Sequence, residues 1–345
     1  MSLNRTDLVK LAKIVANANP SSQVAYSFNG EQFSYENLND TLRNELVELA
    51  GTFQLYRENK NTIFALIEET INDVLPKKVM DQYGQFAEVK TFAQGDKPIF
   101  RQKISVASRR RAKQFITKVG LAGVYEVFKL DGQSYEVQTN AIGGAAQIGF
   151  EEFLDGRVDF ATVLEIVMEG LDETIYVEIA KALKGAVTSL QDANKHSDNV
   201  FLESEMDRLL AVADAYGQST IYCTYEFAAT MVPEEGWISD AMKDQMWNMG
   251  YLANYKGHRV IILPQSFEDE TNTKKVIDPG YAWIIPTGGD KPVKVAFEGD
   301  TLVDERKNGD WSREVQVYKK VGVGAVITNN ICVYINTALT FDEND

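Results

Sequence analysis

Apolar residues recur at spacings of three and four through one proline-free stretch of the chain. Phe160, Leu164, Val167, Leu171, Ile175, Ile179 and Leu183 form the stripe of an amphipathic helix. Asp159, shortly after Gly156, is a candidate N-cap, and the pattern predicts a helix over 159–190. Gly170 and Gly185 weaken it by about 1 kcal/mol each relative to alanine and are the places where it could kink. At about 1.5 Å per residue such a helix is roughly 48 Å long. A compact sphere of this chain length has a radius of gyration near ~20 Å. The rod therefore crosses the whole molecule, which suits a flat or elongated subunit better than an ordinary globular enzyme.

Ahead of this helix the pattern is short and broken. Leu8, Leu11, Ile14 and Val15 share one face of a helix over 6–18, and a small hairpin over 25–33 turns at Asn29-Gly30. Ser34 caps a helix that stops at Gly51, and a further helix over 62–74 ends before Pro76. These pieces have no evident core of their own. They read either as a small helical subdomain or as an arm that folds only against something else, isolated helices of this length being marginal in water. Strands over 89–92 and 99–106 flank a turn at 94–98, and a second hairpin runs 124–130, Asp131-Gly132, 134–139. Gly143-Gly144 then leads through Phe150 to the long helix.

After it come a helix over 203–216 stopped by Gly217, a strand over 220–224, and a helix over 240–249 capped by Ser239 and ended by Gly250. Strands follow over 258–263, 281–285 and 293–297, with a polar loop over 267–275. Residues 311–323 and 325–335 read as the last two strands of a sheet. Helices and strands that do not interleave regularly predict an α+β class.

The 345 residues are enough for a substantial core and two domains. A net charge of −15 argues against a protein whose main task is gripping phosphate, though not against a container for nucleic acid. That charge is unevenly spread. Residues 86–118 hold nine Lys and Arg against Glu88 and Asp96, a local +7 that leaves −22 on the remainder. Arg101, Lys103, Arg109, Arg110, Arg111 and Lys113 are the candidate contact residues. Three readings stay open for them: a solvated loop, an electrostatic contact between subunits, and a contact to nucleic acid. Cys223 and Cys332, both in apolar strand-like surroundings, read as buried free thiols of a reducing compartment. Residues after Met1 are polar and charged, so no signal peptide is expected. No segment reaches the roughly 20 apolar residues of a membrane span. The expectation is a soluble protein made in the cytoplasm.

The search for catalysis is mostly negative. His196, in a polar turn, and His258 have no metal-ligand spacing and are expected at the surface. No nucleophile-elbow pattern supports a serine triad, although a Ser-His-Asp arrangement is not visible in sequence alone. Gly322-Val-Gly324 has no third glycine and is followed by strand-like residues. Residues 304–309 read as a hairpin turn rather than a calcium loop, because Arg306 stands where a ligand is needed. No cofactor and no metal are expected, and the chain is not expected to be an enzyme.

The order of elements resembles that of tailed-bacteriophage major capsid proteins of the Hong Kong 97 type. The resemblance covers nearly the whole chain. It rests on element order, on residues 255–264 (a glycine followed by an apolar strand) and on the closing strands over 311–336. It implies an N-terminal arm over 1–80, an extended hairpin loop within 81–145, and a peripheral domain with the spine helix over 146–218. A central axial domain follows over 219–305, with shared closing strands over 306–345. It further implies self-assembly as pentamers and hexamers into an icosahedral shell around double-stranded DNA, with no sequence-specific binding and no membrane. The subunit would be assembled in the host bacterial cytoplasm and end in the virion. Scaffolding, portal and possibly decoration proteins are the other implied partners. Because residue 1 opens directly on the arm, any scaffold is expected to be separate. The alternative is the shell of an encapsulin-type nanocompartment, which shares this fold.

Overall fold

The computed structural model of the chain describes residues 4–18, 25–101, 134–147, 160–232, 239–267, 269, 271–287, 290–307, 313–326 and 330–340. In chain order the elements are α1 (Arg5–Asn17), β1 (Tyr26–Phe28), β2 (Glu31–Phe33), α2 (Tyr35–Ala50), α3 (Phe53–Tyr83), β3 (Ala87–Phe92), β4 (Ile99–Arg101), β5 (Ser134–Glu136), β6 (Asn140–Gln147) and α4 (Phe160–Ala186). They continue with β7 (Lys195–Asp198), α5 (Glu203–Asp214), β8 (Ser219–Cys223), α6 (Tyr225–Thr230), α7 (Asp240–Met249), β9 (Asn254–Tyr255), β10 (His258–Ile262), β11 (Tyr281–Pro286), β12 (Val293–Lys307), β13 (Arg313–Ala325) and β14 (Cys332–Asn336). The class is α+β. The chain forms two compact units. One holds Met1–Pro98, Val137–Tyr176 and Val295–Val323; the other holds Ile99–Glu136, Val177–Lys294 and Gly324–Asp345.

In the first unit α1, α2 and α3 pack against one another. Leu8, Leu11, Val15, Leu38, Leu42, Leu46 and Leu66 are buried together with Ala50. The opening region therefore has a core, which corrects the expectation of loose pieces and favours the helical subdomain. It also removes the reason to expect that the first 60 or so residues fold only against neighbouring subunits. The entry to α2 follows local rules. Asn29 (φ 50) and Gly30 (φ 89) both take the left-handed conformations that a tight hairpin turn requires, and the Ser34 hydroxyl accepts the Asn37 N–H.

The expected end before Pro76 is also corrected, since α3 runs through Pro76. A proline inside a helix costs ~3 kcal/mol. Here Ile71, Val74, Leu75 and Val79 are buried on both sides of it, and each such side chain is worth ~1.5–3 kcal/mol. The balance favours continuing the helix. Its start lies earlier than the apolar pattern suggests because Thr52 caps it, accepting from the Leu55 N–H.

The first unit's sheet has the order β3-β12-β13-β6. Strand β6 has no counterpart in the sequence reading, because Asn140-Ala-Ile-Gly-Gly-Ala-Ala-Gln carries one β-branched residue. Its glycine is there for closeness: β6 pairs with β13 so tightly that a Cβ on Gly143 would lie 2.2 Å from the Val317 carbonyl oxygen. Strand β12 also extends well beyond the expected 293–297 and takes in 304–307 of the residues read as a hairpin turn, with 308 and 309 outside the described residues.

The predicted long helix is present as α4, and the candidate cap Asp159 lies outside the described residues. At about 1.5 Å per residue α4 is roughly 40 Å long. Leu171, Ile175, Ile179 and Leu183 of the stripe are buried, joined by Met168 and Tyr176. Within the first unit Tyr176 stacks on Tyr83 at 5.1 Å and Asp172 pairs with Lys78 at 3.7 Å. The helix passes unbroken through Gly170 and Gly185, both exposed, and a Cβ at either meets nothing within 4 Å. Gly170→Ala and Gly185→Ala should each raise the stability of the isolated subunit, by up to about 1 kcal/mol. Urea unfolding of the two variants tests this, and no gain in either would show that α4 is not a regular helix there.

The second unit is built on a six-stranded sheet of order β7-β14-β11-β8-β10-β9. The pairs β8–β10 and β7–β14 are parallel; the other registered pairs are antiparallel. Helix α5 covers this sheet, burying Met206, Leu209, Leu210 and Ala213 with Ile221, Phe227, Tyr255, Ile284 and Tyr334. Cys223 and Cys332 lie in this core as free thiols, each pushed up to about 12 by loss of solvation. Three strand expectations change here. His196 lies on strand β7 rather than in a turn. Of the stretch over 325–335, Ala325 ends β13 and β14 starts at Cys332, with 327–329 outside the described residues. Strands β13 and β14 belong to different sheets.

Candidate assembly interface

The basic segment over 86–118 is the candidate contact, and the described residues include its first part, as far as Arg101. Strand β4 pairs antiparallel with β5, Ile99 opposite Glu136, Phe100 opposite Tyr135 and Arg101 opposite Ser134. Strands β3 and β4 do not pair with each other: β3 joins the four-stranded sheet and β4 pairs with β5, while 102–106 of the expected second strand lie outside the described residues. The chain therefore enters and leaves residues 102–133 side by side. Phe100 anchors the pair by full burial, with the Lys294 ammonium 5.9 Å from its ring centre and held by Asp290 at 2.7 Å. Arg101 alternates outward and is exposed at the edge of the segment. Lys103, Arg109, Arg110, Arg111 and Lys113 lie outside the described residues.

The connections on either side of this pair meet on one carboxylate that the sequence did not single out. Glu298 on β12 accepts the Gly95 N–H at 3.2 Å and the Thr139 hydroxyl, with Lys320 at 3.5 Å. Nearby, the Val137 N–H donates to the Pro98 carbonyl at 3.0 Å. The two hydrogen bonds favour the charged form and hold the Glu298 carboxyl below the ordinary 4.5 of a glutamate. A lowered folded value means that the unfolded chain binds this proton more readily. The contribution is complete above 4.5 and lost as pH falls through the lowered value. Glu298→Gln should therefore be less stable than the parent at neutral pH, and the gap should close on acidification. A gap in unfolding free energy that does not change between neutral pH and pH ~3 would contradict this.

A second polar centre ties α3 to the same sheet. Lys319 on β13 is 1% exposed, and its ammonium donates to Asn72 Oδ1 at 2.6 Å and to the Gly299 carbonyl at 2.8 Å. The same Asn72 oxygen accepts the Thr301 N–H at 2.8 Å and its hydroxyl at 2.7 Å. Burial pushes the Lys319 amine down, with Asp300 opposing. One side-chain oxygen on a helix thus satisfies three buried donors on two strands.

The histidines are half-buried rather than on the surface. His196 packs on the Tyr334 ring at 5.1 Å and lies 3.4 Å from Glu205. His258 Nδ1 meets Ser219 Oγ at 3.1 Å, and its Nε2 lies 3.4 Å from Asp214. These three residues are the components of a triad, but not its arrangement. The Ser219 hydroxyl donates to Asp214 at 2.6 Å, closing a triangle, and Ser219 is 1% exposed. The triangle pins the end of α5 to the starts of β8 and β10. Among the described residues no group of His, Cys, Asp and Glu could hold a metal ion, and no helix is long and apolar enough to cross a membrane.

Comparison with known proteins gives one strong match. The model of the family described as SPbeta prophage-derived putative capsid protein YonB matches residues 8–335. No curated protein matches the chain. Among solved structures the chain is similar to a virus-like particle from Pyrococcus furiosus (13% identity, 79% of this chain and 99% of that one, TM-score 0.43). It is similar to the capsid of cyanophage P-SCSP1u (9%, 73% and 87%, TM-score 0.48) and to the holo-SrpI encapsulin complex from Synechococcus elongatus PCC 7942 (10%, 74% and 88%, TM-score 0.42).

Proposed function

We infer the function from membership: the chain belongs to the family of the SPbeta prophage-derived putative capsid protein YonB, which spans nearly all of it. It is a capsid-type structural protein of phage origin, not an enzyme. We propose that it is the major coat subunit of a tailed phage, of the Hong Kong 97 fold. In this reading α4 is the spine of the peripheral domain and the six-stranded unit is the axial domain. The segment beyond β4 and β5 is the extended loop. Copies associate as pentamers and hexamers and close into an icosahedral shell that encloses double-stranded DNA without reading its sequence. Scaffolding and portal proteins act with it, in the host cytoplasm.

The observation that carries the proposal is the family match over residues 8–335; the element order supports it. A closed shell needs head-to-tail contacts, in which one surface meets a different surface of the next copy. A +7 segment on a chain that is −22 elsewhere supplies one, since it is attracted to a neighbour's body and repelled by a neighbour's identical segment. The test is the content of shells purified from producing cells. Nuclease-protected double-stranded DNA is expected. Shells that hold a protein cargo and no DNA would make the chain a nanocompartment and overturn the phage reading.

A further inference from the structure

Helix α7 has no buried residue. Its half-buried positions, Met242, Gln245 and Met246, lie on one face. Asp240, Asp244 and Trp247 follow at i, i+4 and i+7 on the opposite face. All three are exposed, Trp247 at 91%. Lys243 lies beside them and pairs with Asp240 at 3.3 Å, an exposed pair of little strength. The helix is held in shape by its own ends: the Ser239 hydroxyl accepts the Met242 N–H, and Gly250 takes the left-handed conformation at φ 77. It presents an indole to solvent beside two carboxylates. A planar cation fits such a surface, because it can stack on the ring and pair with a carboxylate at once.

The chain holds one concentrated source of such cations. Residues 86–118 carry +7, including Arg109-Arg-Arg111, whereas residues 233–249 hold Glu234, Glu235, Asp240 and Asp244 against Lys243. We propose that the Asp240–Asp244–Trp247 face of α7 docks the basic segment of a second copy of this chain, an arginine of 109–111 stacking on Trp247. This rests on the reading that the basic segment is a contact between subunits, and it adds the surface on which that contact lands.

The experiment is charge exchange in the full chain, followed by light scattering during assembly. Asp240→Lys with Asp244→Lys should slow assembly, as should Arg109→Glu with Arg110→Glu and Arg111→Glu. Combining the two sets should restore a large part of the rate. Trp247→Ala should slow assembly about tenfold without altering the circular dichroism of the unassembled subunit. If the lysine variant misfolds, Asp240→Asn with Asp244→Asn takes its place, with slower assembly expected. Two results overturn the inference and leave the reading beneath it standing: arginine variants that fail while the α7 variants assemble normally, and α7 variants that fail with no restoration in the combination. Arginine variants that assemble normally bring down both.

Discussion

Asn72→Leu should destabilise the first unit by about 3–5 kcal/mol, the cost of leaving three buried donors, one of them charged, without their acceptor. The substitution keeps the branched shape of the side chain and replaces both amide atoms with methyl groups, the nitrogen being the one that donates to Asp300 at 3.5 Å. The amide oxygen accepts from the Lys319 ammonium and from both donors of Thr301. Lys319 keeps only the Gly299 carbonyl, and Thr301 is fully buried, so water cannot replace the lost acceptor cheaply. Adding Lys319→Met should recover part of the loss, because an apolar side chain in the same space no longer needs the acceptor. The Thr301 donors stay unpaired in either case, so recovery is incomplete. Urea unfolding of the single and double variants reads both effects. A single variant within ~1 kcal/mol of the parent would mean that the Asn72 oxygen is not what holds α3 on the sheet.

Arg109→Glu with Arg110→Glu and Arg111→Glu should leave the subunit folded and strongly impair the assembly of shells. Exposed pairs are worth only ~0.2–1 kcal/mol each, but three reversals turn an attraction into a repulsion and every copy in a shell repeats it. Added salt should slow the early assembly of the parent, since screening at 0.15 M acts beyond ~8 Å. Velocity sedimentation and light scattering separate the outcomes. Folded subunits that form neither rings nor shells support a contact between subunits. Normal shells that fail to retain DNA place the basic segment against nucleic acid instead. Normal, filled shells leave it a solvated loop.

What the sequence made legible was what short-range chemistry decides. Ser34 and Ser239 cap helices where expected, Asn29-Gly30 turns where expected, and the stripe from Leu171 to Leu183 is buried as the spacing predicts. The misses share a cause, which is that partners distant in sequence outvote local preference. Proline ends a helix in isolation, but at Pro76 the buried side chains around it keep α3 intact. Gly143 and Gly144 weaken a strand in isolation, but pairing with β13 draws them into one. The polar centres were out of reach for the same reason. Asn72 and Lys319 are 247 positions apart, and Thr139 and Glu298 are 159 apart. No spacing rule joins them. A buried lysine inside an alternating strand was the one available signal: Lys319 and Lys320 interrupt the apolar alternation of β13, and one of the two must face inward.

A coat subunit builds a closed shell from its own copies. The most direct measurement is electron microscopy of the purified protein, alone and with a scaffolding protein added. Rings of five and six and closed icosahedral particles are expected. Monomers under every assembly condition, with scaffold present, would contradict this.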